Sequence, residues 1–245
     1  MQVLTFDFHN TLANCDPWFE LEVRDLPWAV IAFLDLDSGS TTRSDIEQAY
    51  RSLRLDVIES GNEIDAFNSV TMILDQASIP ASASDIRRAI DSLMLEAVLA
   101  TEPVPGAADT VRFLHRLGVR LGVVSSAVHH QTLDWIIDRM GVADCFHQVV
   151  TSASSGYYKS TPAIYHAALR DLGGEARTSV HVGDSLRWDV ETAQKAGLNA
   201  VWLKTGRREV FNTTPTTATP SLTLQTMENA GPELAALLSQ VADPA

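Results

Sequence analysis

The spacing of hydrophobic residues changes twice along the chain, and the changes divide it. Val3, Leu4, Thr5 and Phe6 form a short apolar run that stops at Asp7. A continuous run of that length predicts a strand buried on both faces of a parallel sheet. From about residue 15 to 100 the spacing becomes helical. Residues 18–34 are rich in apolar side chains, with Pro27 interrupting them. The stretch RSDIEQAYRSLRLDVIES after Thr42 carries Ile46, Tyr50, Leu53, Leu55 and Ile58 close to a 3.6 period, so these five are read as its inward face. Residues 66–77 place Phe67, Val70, Ile73 and Leu74 on one side. Ser84-Asp85 opens a further helix, with Ile86, Ile90, Leu93, Met94 and Val98 inward. Pro103 and Pro105 close this block.

Beyond Pro105 the two periods alternate. Helices are predicted over 106–117, 131–140, 161–172 and 186–196, the third with Pro162 in its first turn. Strands are predicted over 120–124, 147–151, 179–182 and 200–203. Residues 205–221, including the Thr- and Pro-rich run 213–220, read as a loop, and 233–241 as a terminal helix. The alternation implies an α/β fold with a doubly wound parallel sheet, a Rossmann-like core formed by 1–14 and 101–245. Residues 15–100 read as an all-helical domain inserted after the first strand.

Composition narrows the function. The apolar fraction of 45% supplies a sizeable core, and a formal charge of −13 argues against nucleic acid or an anionic membrane as partner. It leaves room for a small phosphorylated substrate, which a few local donors can capture. Cys15 and Cys145 form no CxxC pair and suggest no disulfide framework. No secretory signal pattern and no membrane-length apolar stretch is evident, so a cytoplasmic setting is expected. Oligomeric state is not encoded in any recognisable pattern.

The chemistry lies at the strand ends. The first strand ends in Asp7, the second in Ser125-Ser126 and a later one in Gly183-Asp184-Ser185, while Lys159 lies in the loop after another strand. In a parallel sheet these loops open on one edge, so the residues can converge. One cation, a hydroxyl and two or three carboxylates suit a phosphate together with magnesium (Mg2+), the carboxylates as hard oxygen ligands and the lysine and hydroxyl on phosphoryl oxygens.

On four stretches the sequence resembles the haloacid dehalogenase (HAD) superfamily, in the branch with a helical cap after the first motif. FDFHNTL is similar to its first motif, DxDxT. VVSSA is similar to the second, and GYYKSTPAIYHAAL to the third. HVGDSLRWDVETAQKAGLNAVWL is similar to the fourth and is the most specific of the set. The resemblance implies that Asp7 is the nucleophile of an aspartyl-phosphate mechanism and that Ser125 and Lys159 hold the phosphoryl group. It also implies magnesium bound by Asp7, the backbone carbonyl of His9 and Asp184, with Asp189 supporting or sharing that site. Asn10 and Thr11 in the first loop, Ser126 beside Ser125, and Trp18 at the start of the inserted block are the candidate substrate contacts. Trp18 and Phe19 either close an apolar lid over substrate or pack the helical block.

The departure from the pattern is His9, which stands where phosphatases of this superfamily carry a second Asp that protonates the leaving alcohol and then activates water. Imidazole can do both tasks near its ordinary pKa of about 6.5. Three readings stay open: a substitute general acid/base, a different chemistry such as metal-free dehalogenation at carbon, and a weakened site that binds or regulates. His129 and His130 read as a solvated helix start, and His181 as a satisfied core histidine.

Overall fold

The computed structural model describes residues 2–205 and 216–242. The chain enters at β1 (Val3–Phe6) and leaves through a two-residue strand, β2 (Ala13–Asn14). After a helical stretch it returns through β3 (Glu102–Pro103), which pairs antiparallel with β2, Ala13 opposite Pro103. The strands β4 (Arg120–Ser125), β5 (Phe146–Thr151), β6 (Ser179–Gly183), β7 (Asn199–Leu203) and β8 (Leu222–Leu224) follow. With β1 they form one six-stranded sheet in the order β5-β4-β1-β6-β7-β8, every neighbour parallel. Val3 is paired with Arg120 on one side and Ser179 on the other.

Both faces of this sheet are covered, as the unbroken apolar run at β1 requires. Leu4 and Phe6 join a cluster with side chains of α6 (Ala107–Arg116), α7 (His130–Arg139) and α11 (Ala230–Ala242). Val3 joins the opposite cluster with α9 (Ala163–Leu172) and α10 (Thr192–Lys195). Each large apolar side chain so buried contributes roughly 1.5–3 kcal/mol.

Between β2 and β3 the structure is helical. It comprises α1 (Asp16–Glu20), a wide π-type turn over Leu21–Asp25, α2 (Leu26–Phe33), α3 (Arg43–Ser60), α4 (Ala66–Gln76) and α5 (Ala83–Leu99). The last three start on side-chain caps: Thr42 and Asp45 form a reciprocal capping box, Asp65 accepts from the Asn68 amide, and Ser82 accepts from the Asp85 amide. Ser82 therefore opens α5, ahead of the expected Ser84. The interruption expected at Pro27 is milder than a break: α1, the π-type turn and α2 follow one another without a gap, and Pro27 sits in the first turn of α2, where its missing N–H is tolerated. The helix expected over 186–196 likewise begins as a π-type turn, Leu186–Glu191, in which the Val190 amide reaches the Ser185 carbonyl at 3.2 Å. The short helix α8 (Ser152–Ser155) and β8 were not predicted. Both are too short to show a period. Of the predicted Thr/Pro-rich loop, 216–220 has no regular structure and 206–215 lies outside the described residues.

One expectation fails on α3. Its buried residues are Ile46, Tyr50, Arg54 and Val57, whereas Leu55 is 57% exposed. The helix is turned so that a charged residue goes inward, because Arg54 finds Glu63 there, Nη1–Oε1 2.6 Å and Nη2–Oε2 3.2 Å.

Candidate active site

Asp7 leaves the end of β1 with its amide donated to the Val182 carbonyl at 2.8 Å, so the carboxylate projects from the carboxyl edge of the sheet. The chain then turns tightly. The amide of Leu12 returns to the Phe8 carbonyl at 2.8 Å, and Asn10 takes a left-handed conformation, φ 65°, which asparagine tolerates better than most residues. This turn folds Thr11 beneath Asp7. Thr11 is fully buried, and its hydroxyl donates to Asp7 Oδ2 at 3.1 Å. The structure thus places Thr11 behind the carboxylate rather than on the cavity, whose lining includes Asn10 and His9. The imidazole of His9 is stacked on Phe19, centroids 5.0 Å apart and planes 4° apart, and meets Trp18 edge-on at 5.6 Å. Trp18 is buried against Phe8 and also lines the cavity, so it packs and lines at once.

Lys159 reaches the same point from the loop after β5. Its backbone amide donates to Ser126 Oγ at 3.3 Å, which gives Ser126 a positioning contact. Its ammonium bonds Asp7 Oδ1 and Asp189 Oδ1, the latter at 2.6 Å, and the whole residue is 5% exposed. Burial works against the lysine's charge, but the two carboxylates outweigh it and raise its pKa well above the usual value. Asp7 is pushed up by burial, pulled down by Lys159 and pushed up by Asp189. Asp189 resists burial and lies below the usual carboxylate range, held by Lys159 and by the His181 hydrogen bond.

Asp189 is fixed by a shell the motif alone does not disclose. His181, fully buried on β6, contacts Asp189 Oδ1 through Nε2 at 3.2 Å and Thr5 Oγ1 through Nδ1 at 2.8 Å. The Ser185 amide donates to Asp189 Oδ2 at 2.9 Å. Gly183 is needed for this: a Cβ there would lie 2.2 Å from Asp189 Cγ. One oxygen each of Asp7, Asp184 and Asp189 lies within 4.8 Å of the others. Hard oxygen donors at this separation suit a small divalent cation.

These residues, with Ser125, form the floor of a cavity of about 560 Å³. Its walls come from the helical stretch. Glu22, which is 7% exposed, accepts the Val128 amide at 2.8 Å, and burial pushes its carboxyl up to about 8 against that bond and the nearby Arg54. Main-chain bonds tie the same stretch to the sheet's loops: Glu63 N to Gly156 O at 2.9 Å, Tyr158 N to Gly61 O at 3.0 Å, and Ala66 N to Val128 O at 2.8 Å. His129 and His130 are absent from the lining; they contact Asp91 and Thr132, and Thr151.

Over residues 1–197 the chain matches the family model described as haloacid dehalogenase-like hydrolase. The chain belongs to that family. Among its relatives, this hydrolase is 27% identical over 207 residues to a glyceraldehyde 3-phosphate phosphatase of Methanopyrus kandleri, covering 84% of this chain and 85% of that protein. It is 30% identical over 158 residues to a glyceraldehyde 3-phosphate phosphatase of Methanothermobacter thermautotrophicus, covering 63% and 67%. Two solved structures share the fold. A 2-haloacid dehalogenase of Pseudomonas syringae has a TM-score of 0.70 at 20% identity, covering 97% of this chain and 99% of that one. A HAD phosphatase of Thermococcus onnurineus has a TM-score of 0.63 at 21% identity, covering 97% and 98%. No described helix of the hydrolase is long and apolar enough to cross a membrane.

Proposed function

We propose that the protein hydrolyses a small phosphate monoester through an aspartyl-phosphate on Asp7, with magnesium as cofactor. The observation that carries this reading is the lysine between two carboxylates: Lys159 holds Asp7 at the strand end and Asp189 behind it, with Asp184 in the same cluster. The names of the relatives, glyceraldehyde 3-phosphate phosphatase, support phosphoryl transfer. In this reading residues 15–100 act as a cap domain over a core of 1–14 and 101–245, and the protein works in the cytoplasm on a small molecule.

The floor binds the phosphoryl group through Lys159 and the Ser125 hydroxyl, which neutralise charge as it spreads over the equatorial oxygens. Asp7 attacks phosphorus, and the bond to the alcohol oxygen breaks as His9 donates a proton to it. His9 then takes a proton from water, whose oxygen attacks phosphorus and releases Asp7 and inorganic phosphate. Asp7, Asp184 and the His9 carbonyl, with Asp189 in support, would hold magnesium, which supplies charge neutralisation at the phosphoryl oxygens. Metal-free attack on carbon has no use for the Asp184 carboxylate, so the cluster favours the phosphatase reading over dehalogenation.

The test is turnover of p-nitrophenyl phosphate with magnesium, in excess chelator, and in Asp7→Asn. Loss of activity in both controls, with an unchanged circular-dichroism spectrum for Asp7→Asn, is the expected result. Haloacid turnover in chelator, or full phosphatase activity in Asp7→Asn, refutes it.

A further inference from the structure

We propose a second anion subsite at Arg51, so that the preferred substrate is a phosphate ester bearing another phosphate or a carboxylate at its far end. This rests on the phosphatase reading and deepens it.

The turn of α3 that exposes Leu55 aims one stripe of the helix at the cavity. Arg51, Leu55 and Ile58, spaced i, i+4 and i+7, all line it. The carboxyl end of this helix meets the phosphate-binding floor, since the Gly61 carbonyl accepts the Tyr158 amide next to Lys159. Arg51 lies about 15 Å back along the helix from Gly61, at a rise of about 1.5 Å per residue. The stripe therefore runs from apolar side chains near the floor to a cation at the distant end.

Among the described residues three arginines line the cavity, and their states differ. Arg24 is engaged by Glu20 at 2.8 Å and Asp25 at 2.7 Å. Arg54 is buried and held in two bonds by Glu63. Arg51 makes no ion pair and no side-chain hydrogen bond among the described residues. A guanidinium with five donors and an open approach binds a phosphate or carboxylate more strongly than a neutral hydroxyl or aldehyde. The volume of about 560 Å³ is in the range that takes ligands larger than three carbons.

The test compares matched esters in wild type and Arg51→Gln. Fructose 1,6-bisphosphate against fructose 6-phosphate reads a distal phosphate, and 6-phosphogluconate against glucose 6-phosphate reads a distal carboxylate. In wild type kcat/KM is expected to favour the doubly anionic member of at least one pair by about 10- to 100-fold, the worth of one charge-assisted bond. In Arg51→Gln that ratio should fall to near one. The pair that shows the preference identifies the distal group. Calorimetric titration of the same esters into the Asp7→Asn protein, with and without Arg51→Gln, reads binding without turnover. Hydrolysis with a ratio that Arg51→Gln leaves intact overturns the subsite and keeps the phosphatase. Absence of hydrolysis by wild type, with charge-dependent binding lost in Arg51→Gln, overturns the phosphatase and keeps the subsite.

Discussion

Glu22 makes a quantitative prediction for stability against pH. Its carboxyl is buried, takes one amide bond from Val128, and titrates at about 8 in the folded protein against an ordinary 4.5. Between those values the folded chain keeps a proton that the unfolded chain has released. Stability therefore falls as pH rises across the interval and is level above it. At about 1.4 kcal/mol for each pH unit the whole interval is worth about 5 kcal/mol, of which about 3 kcal/mol falls between pH 6 and pH 8.5. Glu22→Gln keeps an acceptor for the Val128 amide and has no proton to lose. Urea unfolding followed by tryptophan fluorescence, with wild type and Glu22→Gln at both pH values, isolates the effect. Wild type should lose about 3 kcal/mol more than the variant on going to pH 8.5. Parallel losses in the two proteins would refute the buried neutral carboxyl, because a Glu22 ionised in both the folded and unfolded states adds no pH dependence over this range.

Two further predictions concern the site. His9→Ala should lower turnover of alkyl phosphates by about 10²–10⁴-fold and of p-nitrophenyl phosphate much less, because a good leaving group needs little protonation; His9→Asp should restore the alkyl-ester activity, and steady-state kinetics on both substrates checks the pair. Gly183→Ala should displace Asp189 from the contact its side chain makes over that Cα, loosening Lys159 and lowering phosphatase kcat by at least tenfold, read beside a melting curve to show that the fold survives.

The parts of the site carried by strand ends were legible because parallel strands deliver their following loops to one edge. Asp7, Ser125, Lys159 and Asp184 could be placed together from hydropathy alone, before any family likeness. The walls were not legible. A charged residue on a predicted helix reads as a solvated one, yet Glu22 and Arg54 are buried by partners, Val128 and Glu63, that no local pattern connects to them. Leu55 was misread for the complementary reason: a 3.6 period counts an apolar side chain as core even where it faces a cavity. His181 was rightly expected in the core, but its link to Asp189 depends on the wide turn after Ser185, which brings the carboxylate back over Gly183. Such a π-type turn has no sequence period of its own.

The position of β1 also bears on how the protein is made. β1 is an inner strand of the sheet, and it leaves the ribosome ahead of both its neighbours, which come after the whole helical stretch: Val3 waits for Arg120 and Ser179. Until they arrive, Val3–Phe6 has no ladder to join, while α3, α4 and α5 can form from contacts close in sequence. Pairing across so long a separation is slow, since the intervening chain must be gathered before the contact stabilises anything. The nascent protein thus carries an exposed apolar segment beside helices that are already able to form, and that interval is where chaperones or aggregation act on it.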